Sequence, residues 1–217
     1  MEPVIPGLYA SEPTTLPFAP SLAIRAFLLR RDRANLLVYS APTVAADAEA
    51  IEALGGVSRQ YLNHWHEASF GCELTGETFG AALLCHENDA PSVGMKCAVD
   101  EAFAERATFG DDFELVPIPG HTEGATAYLW DSGEHRCLFT GDTIYLQDDE
   151  WVAAVLEGSS DRDEYVKSLE LIQTLDFDVL VPWAATAGQP CHALTDGADA
   201  QRRIDSILER LRRGENH

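Results

Sequence analysis

Lysine is almost missing from this 217-residue chain: only Lys96 and Lys167 occur, and 15 Lys and Arg face 36 Asp and Glu. The resulting formal charge of -21 repels phosphate backbones and anionic bilayers, so nucleic acid and membrane are excluded as expected partners. No apolar run approaches the length of a membrane span. Met1 leads into Glu2, Pro3 and Pro6 without the basic stretch of a secretory signal, and the expectation is a cytoplasmic protein. Cys72, Cys85, Cys97, Cys137 and Cys191 form no Cys-x-x-Cys pair and no secretory framework, which predicts free thiols in a reducing compartment. Nor does any repeat or low-complexity tract divide the chain, so one domain over residues 1–217 is expected.

What is present is ordinary globular material. Apolar residues make up 46% and charged residues 24%, enough for a sizeable core and too apolar for disorder. Apolar runs from Ser21 to Leu29 and Asn35 to Ser40, joined by Arg30 to Arg33, predict a β-hairpin. Thr43 stands where a helix cap belongs, before an Ala-rich segment that stops at Gly55 and Gly56, and Arg59 to Asn63 is the next strand. Further strands are expected over Ala81 to Cys85, Phe113 to Ile118, Ala125 to Trp130, Arg136 to Thr140 and Asp178 to Val181. Helices are expected over Val99 to Arg106, Asp161 to Leu175 and about Asp196 to Arg213, the last with Ile204, Ile207, Leu208 and Leu211 in one stripe. Alternating strands and helices in both halves imply a layered α/β architecture.

Three segments carry chemistry. In Asn63-His64-Trp65-His66-Glu67-Ala68-Ser69, the two histidines are two apart. On a continuing strand that spacing puts both imidazoles on one side, as two ligands of one metal require. In Pro117-Ile118-Pro119-Gly120-His121-Thr122-Glu123-Gly124, a strand runs into a Pro-Gly turn with His121 at its tip. In Phe139-Thr140-Gly141-Asp142-Thr143, another strand end delivers a carboxylate. Loops at strand ends are where rigid scaffolds present ligands.

In this order and separation the three segments resemble the metallo-β-lactamase superfamily, from about Ile5 to the last helix. The resemblance implies a four-layer αββα sandwich with a metal site at one edge, built from loops at strand ends. It also implies hydrolysis of esters, thioesters, amides or phosphodiesters. The family's first motif, His-x-His-x-Asp-His, maps its first two histidines to His64 and His66. Its later histidine maps to His121, and the bridging aspartate of its Gly-Asp pair to Asp142. The motif's Asp and following His fall on Ala68 and Ser69, and the family's last histidine falls on or near Ala184. In the family the first metal site is made by the histidines matching His64, His66 and His121, and the three missing residues would have served the second. The resemblance thus implies a half-complete site: one divalent metal, zinc by preference and iron or manganese as alternatives, with Asp142 as a fourth ligand or as the group that orients water.

Glu67 and His192 are the nearest side chains able to compensate for the missing donors. His86 reads as structural, and His135 and His217 as solvent-exposed. Trp65 and Trp183 are placed either to wall the pocket or to pack in the core, and Trp151 is equally ambiguous. The expected function is a mononuclear metal-dependent hydrolase that activates water on a small ester, thioester or lactone, with Asp142 as the catalytic carboxylate. Two alternatives stay open: a non-catalytic protein of the same fold that binds a small molecule or partner, with a structural metal or none, and a mononuclear iron oxidative enzyme.

Overall fold

Alternation along single strands sorts the core into layers. Phe27 and Leu29 pack into one apolar cluster while Leu28 packs into another, and Leu36 and Val38 split from Leu37 in the same way, as the two-residue strand period requires. The computed structural model describes residues 1–217. Its first sheet has seven strands in the order Glu2–Ile5, Leu8–Ala10, Phe27–Leu29, Leu36–Val38, Arg59–Tyr61, Ala82–His86 and Glu101–Phe103. The last three of these pairings are parallel. A second sheet joins Ala107–Thr108, Phe113–Pro117, Thr126–Asp131, Arg136–Gly141, Val179–Pro182 and Ala193–Leu194 in that order. A smaller five-stranded sheet runs through Glu150–Val152, Tyr145–Gln147, Ala184–Thr186, Ala19–Ile24 and Thr14–Leu16.

The inner faces of the two large sheets meet in a core where the Phe27, Tyr39 and Phe139 rings pack edge to face with centroids 6.0 to 6.1 Å apart, a geometry that aligns ring edges with ring faces. The outer faces are covered by helices. α1 (Ala48–Ala53), α2 (Cys72–Phe79) and α3 (Ala90–Val93) lie on the first sheet, and α4 (Arg162–Ile172) and α5 (Gly197–Arg212) on the second. This is the αββα sandwich. Helix α4 is capped by the Asp161 carboxylate, which accepts from the Asp163 and Glu164 amides, and α5 by Asp196, which accepts from the Asp199 amide, satisfying donors that a helix start leaves free. No helix is long and apolar enough to cross a membrane.

Several expectations are corrected. The segment expected as a helix at Val99 to Arg106 holds the edge strand Glu101–Phe103, paired parallel to Ala82–His86; sheet pairing overrides local helix propensity there. The run Ser21 to Leu29 breaks at Arg25 and Ala26 into two strands of different sheets, and only its second half makes the hairpin with Leu36–Val38. The Thr43 hydroxyl donates to the Glu12 carbonyl instead of capping a helix. Cys72 and Cys97 are joined as a disulfide, leaving Cys85, Cys137 and Cys191 as the free thiols. His135 is half-buried and paired with Asp178 at 3.0 Å.

Candidate metal centre

The strand Arg59–Tyr61 ends three residues before His64, so the side-by-side strand geometry expected for His64 and His66 does not arise. Instead His64 is extended and leads into a short 3-10 turn, Trp65–Ser69. That turn brings the two ring centroids to 5.1 Å. His121 arrives from the loop after Phe113–Pro117. The ligand nitrogens of His64, His66 and His121 lie within 4.8 Å of one another, a group able to hold a metal ion. Asp142, at the end of Arg136–Gly141, places Oδ2 3.6 Å from His64 Nε2 and 3.9 Å from His121 Nε2.

Hydrogen bonds fix which nitrogen of each ring faces the centre. The Asn63 side-chain amide donates to the Thr126 carbonyl, which leaves its Oδ1 to accept from His64 Nδ1 at 3.0 Å. Nε2 of His64 is therefore the unprotonated nitrogen. His121 Nδ1 donates to the Ala154 carbonyl at 2.7 Å, freeing its Nε2 in the same way, as partners behind a ligating imidazole commonly do. His66 presents Nδ1, 3.2 Å from His121 Nε2. Two nitrogens on one tetrahedral zinc would lie about 3.3 Å apart. His64 Nε2 and Asp142 Oδ1 are buried with no hydrogen-bond partner, and such orphaned polar atoms are costly unless something binds them. The residues present thus fit a metal ion.

Two buried carboxylates hold the loops in register. Glu67 is fully buried; its Oε1 accepts from the Asn63 and His64 amides at 2.8 and 3.2 Å, and its Oε2 from the Ser40 amide at 3.1 Å. Burial pushes the Glu67 carboxyl up while the Asn63 and His64 amides pull it down. This occupation by backbone donors rules Glu67 out as a replacement ligand. Asp89 accepts from the Trp65 amide and the Thr122 hydroxyl through Oδ2, at 3.0 and 2.7 Å, and from the Gly124 amide through Oδ1 at 3.0 Å, joining the His64–His66 loop to the His121 loop. Glycine is needed where the chain closes on these groups: a Cβ at Gly124 would lie 2.6 Å from the Asp89 carboxyl carbon, and one at Gly141, whose φ is +57°, would fall on the Asn63 side chain. Asn63, Asp89 and the Ala154 carbonyl went unread in the sequence because their roles exist only across loops distant in the chain.

Of the positions that would complete a second site, Ala68 and Ala184 hold no side-chain donor and Ser69 only a hydroxyl, a poor one. Ala68 is packed with Leu62, Cys72, Leu83 and Val93. Ala184 is buried, and Ser69 is exposed at the cavity wall. His192 lines a different depression, with Asp148, Trp151 and Arg203, and His86 is tied to the Ala104 carbonyl and the Asn88 amide. A cavity of about 410 Å³ opens on His66 and Asp142, walled by Trp65, Phe70 and Trp183 among others. Trp65 packs on the His66 ring with centroids 3.9 Å apart, and Trp183 meets His64 edge to face at 5.3 Å. Trp151 instead packs in the outer core under Arg203.

Burial holds His66 and His121 down to about 4 and His64 well below its ordinary range, the last reinforced by its histidine neighbours. Asp142 is pushed up to about 7 by burial. The imidazoles bind protons more weakly in the folded than in the unfolded chain, so the metal-free protein should lose stability as pH falls from about 6.5 towards 4. Asp142 acts oppositely: its contribution is greatest below the ordinary carboxylate range and is lost as pH rises towards 7. Thermal unfolding across that window should therefore slope less steeply in His66→Ala than in the wild type; equal slopes would contradict the assignment of buried neutral histidines.

The sequence model of the metallo-beta-lactamase superfamily matches residues 75–184, just over half of the chain and including His121 and Asp142. Among solved structures, a metallo-beta-lactamase from Pontibacter korlensis is similar at 15% identity and a TM-score of 0.73, over 96% of this chain and 97% of that one. ETHE1 from Myxococcus xanthus is similar at 16% identity and 0.66, over 93% and 89%. An archaeal metallo-beta-lactamase superfamily protein from Sulfolobus tokodaii is similar at 15% and 0.64, over 93% and 86%. At these identities the likeness shows the fold alone. No curated protein matches the sequence.

Proposed function

Because this chain belongs to the metallo-β-lactamase superfamily, we propose that it is a hydrolase with one divalent metal ion, acting on a small ester, thioester or lactone. His64 and His121 would hold the ion through Nε2 and His66 through Nδ1. The observation that carries this reading is the convergence of the His64, His66 and His121 ligand nitrogens within 4.8 Å of one another, where His64 Nε2 is buried without a partner and Asp142 Oδ2 stands 3.6 Å from it. A metal bound there would supply Lewis acidity and an acidified water. Three imidazoles with an open position suit zinc, and the same donors take iron or manganese.

The protein's own contribution is position and proton handling. Asp142, whose Oδ2 lies 3.6 Å from His64 Nε2 and 3.9 Å from His121 Nε2, is placed to accept or return a proton or to orient the attacking water. The backbone beneath it is fixed: the Gly141 amide donates to the Tyr39 hydroxyl at 2.9 Å, and that hydroxyl donates to the Val181 carbonyl at 2.7 Å. Trp65, Phe70 and Trp183 exclude water from one side of the centre, which strengthens electrostatic interactions inside it.

Metal analysis with an esterase assay tests the proposal. Zinc titration is expected to saturate at one equivalent per chain, because Ala68 and Ala184 offer no side-chain donor, and the loaded protein should hydrolyse activated esters or thioesters. Two ions within about 4 Å of each other would overturn the mononuclear assignment. One bound ion with no turnover of ester, thioester, lactone or phosphodiester would make the non-catalytic reading the better one.

A further inference from the structure

We infer that the substrate of this site is electrically neutral and carries an apolar acyl chain, which lies in the cavity beside His66 and Asp142. This deepens the hydrolase proposal and rests on it. Eleven of the fourteen residues lining the cavity are hydrophobic, and the other three are His66, Ser69 and Asp142. No lysine or arginine is among them. The gap is built into the sequence, which has no lysine or arginine between Arg59 and Lys96, between Arg136 and Arg162, or between Lys167 and Arg202. The loops around the mouth come from these stretches and from the hairpin of Thr14–Leu16 and Ala19–Ile24. The nearest base on that hairpin, Arg25, is committed to the Ser11 carbonyl and to Glu2.

An anionic tail would therefore enter an apolar space with no counter-charge, next to Asp142, on a chain of net charge -21. Burying an unpaired carboxylate or phosphate is heavily penalised. Arg210, near enough to act on Tyr145, is committed to the Trp151 carbonyl, so the counter-charge inside the cavity would be the metal itself, and an anionic group seated on the metal would occupy the place the scissile carbonyl needs. Apolar matter is favoured by the same walls. Phe18, 77% exposed at the hairpin tip, and Leu156, 41% exposed, both stand at this cavity, and singly placed exposed side chains of that size gather meaning when they border one pocket. Hydrolysis adds water across the acyl bond and releases an alcohol or thiol and an acid.

The test compares p-nitrophenyl esters that share a leaving group: acetate, butyrate and hexanoate against the hexanoate analogue bearing a terminal carboxylate, on protein loaded with one equivalent of zinc. kcat/KM is expected to rise about threefold to fourfold per methylene along the neutral series, and the carboxylated ester to fall on the order of a hundredfold below its neutral partner. Phe18→Arg, at an exposed position, should narrow that ratio at least tenfold by supplying the missing cation. In parallel, 1-octanol should quench the Trp65 and Trp183 fluorescence of metal-free protein while octanoate does not. Equal or faster turnover of the carboxylated ester would overturn the inference and leave the hydrolase reading standing. Octanol binding with no turnover of any ester would sink the hydrolase reading while upholding the neutral apolar pocket. Equal quenching by octanol and octanoate, or by neither, would overturn the pocket assignment itself.

Discussion

His121→Ala is expected to abolish metal-dependent hydrolysis, lowering kcat/KM on the order of a thousandfold or more, while the metal-free fold survives. The ring is fully buried, and its Nε2 faces His66 Nδ1 at 3.2 Å. Without it two imidazoles are left for the ion, and stabilisation of developing charge worth several kcal/mol is lost, which converts to that rate. The fold should tolerate the change because His121 contributes one outward bond, to the Ala154 carbonyl, and because its loop is held separately by the Thr122 and Gly124 bonds to Asp89. Zinc should raise the wild-type melting temperature and leave the variant's almost unmoved, since stabilisation by a ligand amounts to about 2.7 kcal/mol at a hundred times Kd and vanishes when Kd rises above the free concentration. Wild-type rates in metal-loaded His121→Ala would remove this histidine from the proposed centre. Loss of rate with an unchanged zinc shift would mean that it acts on substrate and not on metal.

Glu67→Ala should be the most damaging single change to the fold near the site. The carboxylate serves three buried backbone amides, those of Ser40, Asn63 and His64, and truncation strands all of them. Each stranded donor costs about 1 to 3 kcal/mol, and with some relaxation and water entry the loss should be roughly 3 to 5 kcal/mol, or a melting temperature lower by roughly 10 °C. Glu67→Gln should recover part of this: its carbonyl oxygen can still accept from Asn63 and His64, while its NH2 group confronts the Ser40 amide donor to donor. Zinc affinity should follow the same order, wild type above Gln above Ala, because the His64 backbone is what the carboxylate fixes. A melting temperature within about 1 °C of wild type for Glu67→Ala would show that the amides find other partners.

Glu67 also shows where sequence reading reaches its limit. Its position beside the vacant aspartate of the motif suggests a substitute ligand, yet the side chain turns back into the chain. The reason is a demand for acceptors made by Ser40, which is distant in sequence and becomes a neighbour only when the strands Leu36–Val38 and Arg59–Tyr61 pair. Helices α4 and α5 were legible because their signals are local: side chains repeating at helical spacing, as in the apolar stripe Ile204, Ile207, Leu208 and Leu211 of α5, all buried in the structure. Helix α2 was missed because only Cys72 and Thr75 are buried along it, too few to print a period. The edge strand Glu101–Phe103 was misread because three exposed or half-buried residues take their conformation from the neighbouring strand and not from their own pattern.

By itself the sequence determined the layered α/β class, the motif positions His64, His66, His121 and Asp142, and the absence of donors at Ala68 and Ala184, since residue identity and short-range spacing are written directly in the chain. Tertiary structure alone decided that the three imidazoles converge within 4.8 Å, which nitrogen of each faces inward, that Asp89 and Glu67 brace the loops, and that the stretches without lysine or arginine line one cavity beside Asp142. Those facts depend on hydrogen bonds and burial between segments tens of residues apart, and such contacts exist only once the two sheets have closed on one another.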